Sequence, residues 1–435
     1  MSKKIAVVVD NYSREFMNKE MVTFGRKLSD SLGTNTWIIT NSTTHNRDID
    51  TIHKNVKLIR LSILDTGSWP PLNHWRYYVF MLWNFRNIEC FWLYRGRNYV
   101  FATTLWAKLI RAKTVIRLDG ANGVTWLGQQ LYSLRMRRNG SSKIPNRLSD
   151  ESIIERKSST KSDDVRFSRE PRRRLKSLVK AVIDFVDRDL PLLLASAILV
   201  ETPEVAESLK PLSIERKCVL LVNGPSLALM TEQDLVLETS RPPPKEKWVL
   251  GAGRIRPSKG FTYLLQSFAL LPRSLREEWP LLVLGTVEDQ SYFDELSQLI
   301  DQLGLGTSVQ LRSAVYGREF YDLLGRSSIF VLPSLYGEGQ PNVVTEAMYF
   351  GCAVIGTKVG AVPFQLDYGR AGVLVEPADV DSLGRALSRL IANDGERRGL
   401  GERARERAVN ELSFDKSMSS LTEILYRKSR SSQAL

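Results

Sequence analysis

Two carboxylates eight positions apart, Glu338 and Glu346, stand among glycines, a proline and small apolar residues in SLYGEGQPNVVTEAMYFGCAVIGTKVG, residues 334–360. One continuous helix would hold them about 12 Å apart at 1.5 Å per residue, too far to share a small ligand closely. Gly337, Gly339 and Pro341 argue against a helix through Glu338. The spacing predicts instead a loop carrying Glu338, an N-cap at Asn342, and a helix from Val343 to Phe350 with Glu346 in its early turns. Both acids then lie near the helix N-terminus, which offers unpaired N–H groups and roughly half a positive charge to a phosphate. Upstream, GAGRIRPSKG sets Arg254 and Lys259 on either side of a turn made by Pro257 and Ser258. Alone, two exposed cations at a strand end carry no function. Beside the glutamate pair they have one, since arginine plus lysine can neutralise a pyrophosphate. An early-turn carboxylate such as Glu346 can accept hydrogen bonds from a ribose diol. Glu338 is left for the remaining group.

Elements that would position these residues follow from the hydrophobic pattern. In the C-terminal half, KWVLGAG precedes a helix with Leu264, Leu265, Phe268 and Leu271 on one face. PLLVLG precedes SYFDELSQLIDQLG, SVQLRS precedes EFYDLLGR, SIFVLPS precedes the helix after Asn342, and CAVIGT leads through a loop to GVLVEP. This alternation predicts a parallel sheet wrapped by crossover helices. The N-terminal half repeats it more loosely: KIAVVVD, a helix containing Leu28 and Leu32, then strands in NTWIITN, VKLIRLS, NYVFATT, KTVIRLDG and SAILVETP. VNGPS and the later RPPPKEK read as the connection between halves. The expectation is α/β: two doubly wound Rossmann-like domains with a cleft at the C-terminal ends of their strands. The predicted boundaries are 1–225, 226–412, and a terminal helix over 413–435 that packs back towards the first domain.

The chain has 435 residues, 43% hydrophobic and 25% charged, which suits a globular protein and excludes a disordered or fibrous one. MSKKIAVVVD leaves no room for a signal-peptide core, and the apolar runs YYVFMLW and PLLLASAILV fall short of the roughly 20 residues that span a bilayer. A cytoplasmic protein is expected, peripheral on the inner face of the plasma membrane if the basic segment below binds lipid. Cys90, Cys218 and Cys352 form no disulfide framework, and His45, His53 and His74 lack ligand spacing, so no metal site is expected. The net charge of +13 is concentrated: Ser133–Lys180 holds 15 Lys/Arg against 6 Asp/Glu. This insertion, about 133–180, reads either as a solvated surface segment or as a patch for anionic lipid headgroups or a phosphate-bearing substrate. No nucleic-acid module accompanies it. Six of the nine tryptophans, at 69, 75, 83, 92, 106 and 126, fall just upstream, as core or as a membrane-interface belt.

Taken together, the glutamate, seven residues, glutamate spacing, the preceding GRIRPSKG and the hinge-like VNGPS resemble the retaining glycosyltransferases of family 4, which have the GT-B fold. The resemblance covers most of residues 247–435 and the first half in outline only. It implies that Arg254 and Lys259 hold the donor pyrophosphate and Glu346 the ribose. By the same resemblance Glu338, with backbone groups of Gly339, Gln340 and Pro341, contacts the transferred hexose, and amides near Val344 and Thr345 meet the phosphate. Two departures lie in the first domain. DNYSREFMNKE stands where members often carry a glycine pair, and Asp119 of KTVIRLDGANG stands near the place of a histidine that contacts the sugar. Asp119 is either a hydrogen-bonding substitute for that histidine or an Asx-turn residue with Gly120.

The function this implies is a hexosyltransferase that moves a hexose from a nucleotide-diphosphate sugar to a glycan or lipid-linked acceptor, in surface polysaccharide assembly. It would need no cofactor, since Arg254, Lys259 and the helix N-terminus stabilise the leaving diphosphate. Two alternatives stand beside it: a catalytically degenerate GT-B protein acting as a binding or assembly subunit, and a nucleotide-sugar epimerase.

Overall fold

The structure, a computed structural model, describes residues 4–8, 35–41, 56–61, 82–83, 87–94, 99–118, 171–222, 244–336 and 338–426. Asp119, all of DNYSREFMNKE, the helix expected around Leu28 and Leu32, VNGPS after its first residue, and the basic insertion up to Glu170 lie outside them. The chain divides into two compact units. Among the described residues, one comprises those up to Leu220 with those from Ser420 onward, and the other Leu221–Ser419.

Among the described residues the first unit carries β1 (Lys4–Val8), β2 (Asn35–Asn41), β3 (Val56–Leu61), β4 (Ile88–Tyr94), β5 (Lys113–Arg117), β6 (Ala197–Val200) and β7 (Cys218–Leu220), paired in the order β3-β2-β1-β4-β5-β6-β7. Every pairing is parallel. Central strands are apolar on both faces, as in AILV of β6, because helices cover both sides of such a sheet. One expected strand is wrong. NYVFATT is the start of the helix Tyr99–Leu109, and the strand beside β1 is IECFWLY. Its β-branched and aromatic residues suggested a strand, but Val100, Thr103, Thr104 and Ala107 are the buried ones, a helical period that tertiary packing selects over propensity. Trp92 is buried and Trp106 packs against this unit's core, whereas Trp83 is exposed.

The second unit carries β8 (Glu246–Ala252), β9 (Leu281–Gly285), β10 (Val309–Ser313), β11 (Ser327–Leu332), β12 (Ala353–Thr357) and β13 (Val373–Val375), all parallel, in the order β10-β9-β8-β11-β12-β13. Leu264, Leu265 and Phe268 of the helix Phe261–Ala269 are buried in its core with Val249, Val283 and Ile329 of the sheet. Strand order reverses direction between β8 and β11, so segments leaving their C-terminal ends diverge to opposite sides and open a crevice there. GRIRPSKG follows β8, and the loop with Glu338 follows β11.

A buried ion pair closes the C-terminal end of the first sheet: Arg117 at the end of β5 donates to Glu201 just after β6, at 3.2 Å, with both side chains under a tenth exposed. Removing Glu201 takes away the carboxylate that offsets the buried guanidinium, so Glu201→Ala is expected to destabilise the unit by up to about 3 to 5 kcal/mol in urea titration. The double change Arg117→Met with Glu201→Leu is expected to recover most of that loss. A double variant as unstable as Glu201→Ala would show that apolar replacement does not relieve the penalty.

Candidate active site at the β8/β11 switch point

Three segments meet at the C-terminal edge of the second sheet. After β8, Pro257–Lys259 forms a single 3₁₀ turn closed by Gly260 at φ +68°, and the Ser258 carbonyl accepts from the Leu335 amide at 2.9 Å. Gly260 is required: a Cβ there would lie 2.1 Å from the Pro333 carbonyl oxygen. On the other side, after β12, Gly360 at φ +52° lies so close that a Cβ would be 1.7 Å from the carbonyl oxygen of Glu338. The Ala361 amide donates to the Gly339 carbonyl at 3.2 Å, and the Thr357 hydroxyl to the Ser334 carbonyl at 2.6 Å. The loop between Pro333 and Pro341 is thus held on both flanks.

That clamping brings Glu338 onto two partners. Lys259 Nζ and Ser334 Oγ both donate to its Oε1, and the lysine and glutamate side chains are 10% and 7% exposed. Lys259 and Glu338 therefore form one buried constellation. Arg254 is placed differently: its side chain is half exposed and pairs with Glu288 at 2.9 Å, where Arg256 also reaches at 3.4 Å.

The helix behind the loop is Asn342–Tyr349. Its N-cap position is occupied by Pro341, not by Asn342 as expected; Pro341 has φ −66° and ψ 117°, and the helix begins one residue earlier than the pattern suggested. No side chain caps the helix, and Asn342 Oδ1 is buried without a hydrogen-bond partner. The Val344 amide, expected to face a phosphate, donates to the Pro341 carbonyl at 3.0 Å. By helical geometry the amides of Asn342 and Val343 are then the ones that open towards a ligand. Gln340, Val344 and Thr345 are buried, and Gly339 and Pro341 partly so. Glu346, in the second turn, is 6% exposed. Its negative charge, after the larger effect of burial, pushes the Tyr321 hydroxyl well above the usual phenol range.

Sequence reasoning missed Ser334, Gly260, Gly360 and Gln365. The glycines in PSKG and TKVG were visible, but nothing local marks which carbonyl each must clear. Gln365, from the short helix Val362–Gln365, donates its side-chain amide to Thr345 Oγ1 at 2.8 Å and to the Pro341 carbonyl at 3.2 Å.

Residues 233–407 match the family model described as glycosyl transferases group 1. Among curated relatives, this chain is 32% identical to an MMP alpha-(1->4)-mannosyltransferase of Mycolicibacterium hassiacum over 173 residues, 40% of each chain. It is 26% identical to the lipopolysaccharide core biosynthesis glycosyltransferase LpsE of Rhizobium meliloti over 232 residues, 53% of this chain and 64% of that one. The chain thus spans less than two thirds of the length of these relatives. Among solved structures, Anabaena HepE in complex with UDP superposes with a TM-score of 0.66 at 14% identity, over 98% of this chain and 100% of HepE. The fold is therefore the two-domain α/β arrangement GT-B, and the residues that match the glycosyl transferases group 1 model lie mainly in the second unit.

The glycine clamp is testable against an internal control. Gly304 also has positive φ, +61°, but has nothing within 4 Å of a built Cβ. Gly304→Ala is expected to cost about 1 to 2 kcal/mol through backbone conformation alone. Gly360→Ala should cost a further 1 to 3 kcal/mol, roughly, from the clash. Equal urea midpoints for the two variants would remove the close approach from the account.

Proposed function

We propose that this chain is a retaining glycosyltransferase that moves a hexose from a nucleotide-diphosphate sugar to a glycan or lipid-linked acceptor in surface polysaccharide synthesis. The observation that carries the reading is the buried contact of Lys259 with Glu338 beside the start of the helix Asn342–Tyr349, at the switch point of the second sheet. A cation, a carboxylate and a helix N-terminus within one crevice suit a sugar joined to a diphosphate. The match to glycosyl transferases group 1 supports this, as do HepE's complex with UDP and the role of LpsE in lipopolysaccharide core synthesis.

In this reading the diphosphate faces Lys259 and the first-turn amides, and the exposed Arg254 turns from Glu288 to the outer phosphate. An ammonium has three donors, so Lys259 can keep Glu338 and still reach a phosphate oxygen. Glu338 accepts from hydroxyls of the hexose, with Gly339, Gln340 and Pro341 lining it, and Glu346 takes the ribose. As the bond from the anomeric carbon to the diphosphate oxygen breaks, negative charge builds on the leaving group, where fixed donors stabilise it without reorganising. The acceptor oxygen then bonds to the same face of the anomeric carbon, and its proton passes to the departing phosphate. No carboxylate is assigned as a nucleophile, and no metal is invoked. Asp119, outside the described residues, is assigned to the sugar by resemblance alone.

Turnover of the purified protein with a panel of nucleotide sugars is the direct test: release of free nucleoside diphosphate supports transfer, interconversion of donor sugars an epimerase, and tight donor binding without either a non-catalytic subunit. Lys259→Ala and Arg254→Ala are each expected to lower turnover by about 100- to 1,000-fold, the loss of about 2.7 to 4 kcal/mol of transition-state stabilisation. Glu346→Ala should weaken calorimetric binding of the bare diphosphate. Glu338→Gln should mainly lower turnover, and equal diphosphate losses in both would remove this division of labour.

A peripheral membrane contact belongs to the same proposal. The end of the basic segment forms the helix Pro171–Asp184, in which Ala181 is buried while Leu178, Val179 and Val182 are about half exposed. Exposed aliphatic residues on a basic helix suit an anionic lipid surface. No described helix is long and apolar enough to cross a membrane. Vesicles containing acidic lipid are expected to bind the protein and release it at high salt, and replacing Arg172, Arg173 and Arg174 by serine should remove roughly 3 kcal/mol of that binding. Binding that ignores both salt and the triple change would leave the segment as solvated surface.

A further inference from the structure

We propose that Gln365 is a positioning residue for the donor diphosphate: its side-chain amide sets the direction of the first-turn amides of the helix Asn342–Tyr349. This rests on the reading of that helix start as the diphosphate site.

Gln365 is fully buried, with Val362 and Leu366 of its own segment also buried. A leucine would fill such a place without polar atoms, and a buried amide costs free energy unless its hydrogen bonds repay it. Its Oε1 has no hydrogen-bond partner, so repayment comes through Nε2 alone. Both acceptors of Nε2 belong to the first turn: Pro341, which precedes the helix, and Thr345, its fourth residue. One amide group thus spans the turn whose N–H groups meet the ligand. Pro341 brings no N–H of its own to that turn, and no side chain caps the helix. A side chain reaching across from another segment takes the cap's place in orienting it.

The far side of Gln365 is held as firmly. Arg407, 7% exposed and from the helix Asp394–Asn410, donates Nε to the Gln365 carbonyl at 2.9 Å and a terminal nitrogen to the Phe364 carbonyl at 2.6 Å. Its charge is met by Glu411 at 2.5 Å and Asp367 at 3.5 Å. The Gln365 backbone therefore cannot drift to relax its side-chain bonds. A diphosphate held by fixed amides needs placement within about 0.5 Å, which is what this support supplies. Gln365 touches no reacting atom in this reading, and its effect passes through the Pro341 carbonyl and the Thr345 side chain.

Calorimetric titration of the full chain with UDP and GDP, together with donor kinetics and thermal melts, tests the proposal. Gln365→Leu is expected to weaken diphosphate affinity roughly 10- to 100-fold and to raise the donor KM in step. Thr345→Val removes the same hydrogen bond from its other end while keeping the backbone amide, and should weaken affinity several-fold. The double variant should lose little more than Gln365→Leu alone. A purely structural glutamine would lower the melting temperature and leave affinity and KM unchanged, which overturns the proposal. Losses that multiply in the double variant overturn it too, because the two side chains would then act separately. If Gln365→Leu does not fold, unchanged affinity in Thr345→Val is sufficient to reject it. Wild-type protein that binds neither nucleotide removes the diphosphate-site reading itself, a result distinct from tight wild-type binding that Gln365→Leu retains.

Discussion

Lys259 and Glu338 are 79 residues apart in the chain, yet their side chains meet inside the crevice, each largely withdrawn from water. Desolvating two charges is costly, and their attraction repays it only if geometry is good and remaining hydrogen bonds are made. Ser334 supplies one such bond to the same carboxylate oxygen. The pair therefore constrains everything around it: the turn after β8 must present the lysine, the loop after β11 must carry the glutamate inward, and neither can move without stranding a buried charge.

The supports of that contact are mostly steric and backbone in nature. Gly260 and Gly360 let two chain segments approach carbonyl oxygens of the loop at distances no side chain permits. The amides of Leu335 and Ala361 bond across the same approaches. Behind the loop, Gln365 and Arg407 tie the start of the helix Asn342–Tyr349 to the far end of the unit. The chemistry-bearing side chains are few, and their precision derives from contacts that carry no charge.

The two units differ in how much of this kind of site they display. In the second, the sheet, the crevice and its supports are among the described residues, apart from Gly337 of the loop. In the first, the described residues comprise the sheet, its buried Arg117–Glu201 pair and the flanking helices, while the segment holding Asp119 falls outside. The reading of the donor side consequently stands on geometry, and that of the acceptor side on resemblance and on the exposed aliphatic residues of Pro171–Asp184.

Local pattern was enough for the α/β class and for the strand and helix sequence of the second unit, and it singled out Glu338, Glu346, Lys259 and Arg254 as candidates, of which Lys259 and Glu338 meet in the structure. Those features are legible because period-2 and period-3.6 burial, glycine and proline punctuation, and clustered opposite charges are written within a few neighbouring residues. Where burial and propensity disagreed, as in NYVFATT, the pattern misled, and Asn342 was misjudged as the N-cap, a position that Pro341 holds. Tertiary structure alone decided that Lys259 pairs with Glu338 while Arg254 pairs with Glu288, that Gly260 and Gly360 are irreplaceable, and that Gln365 grips the helix start. Each of these depends on atoms from segments far apart in the chain, brought within a few ångströms by the parallel sheet, and no local spacing encodes such a meeting.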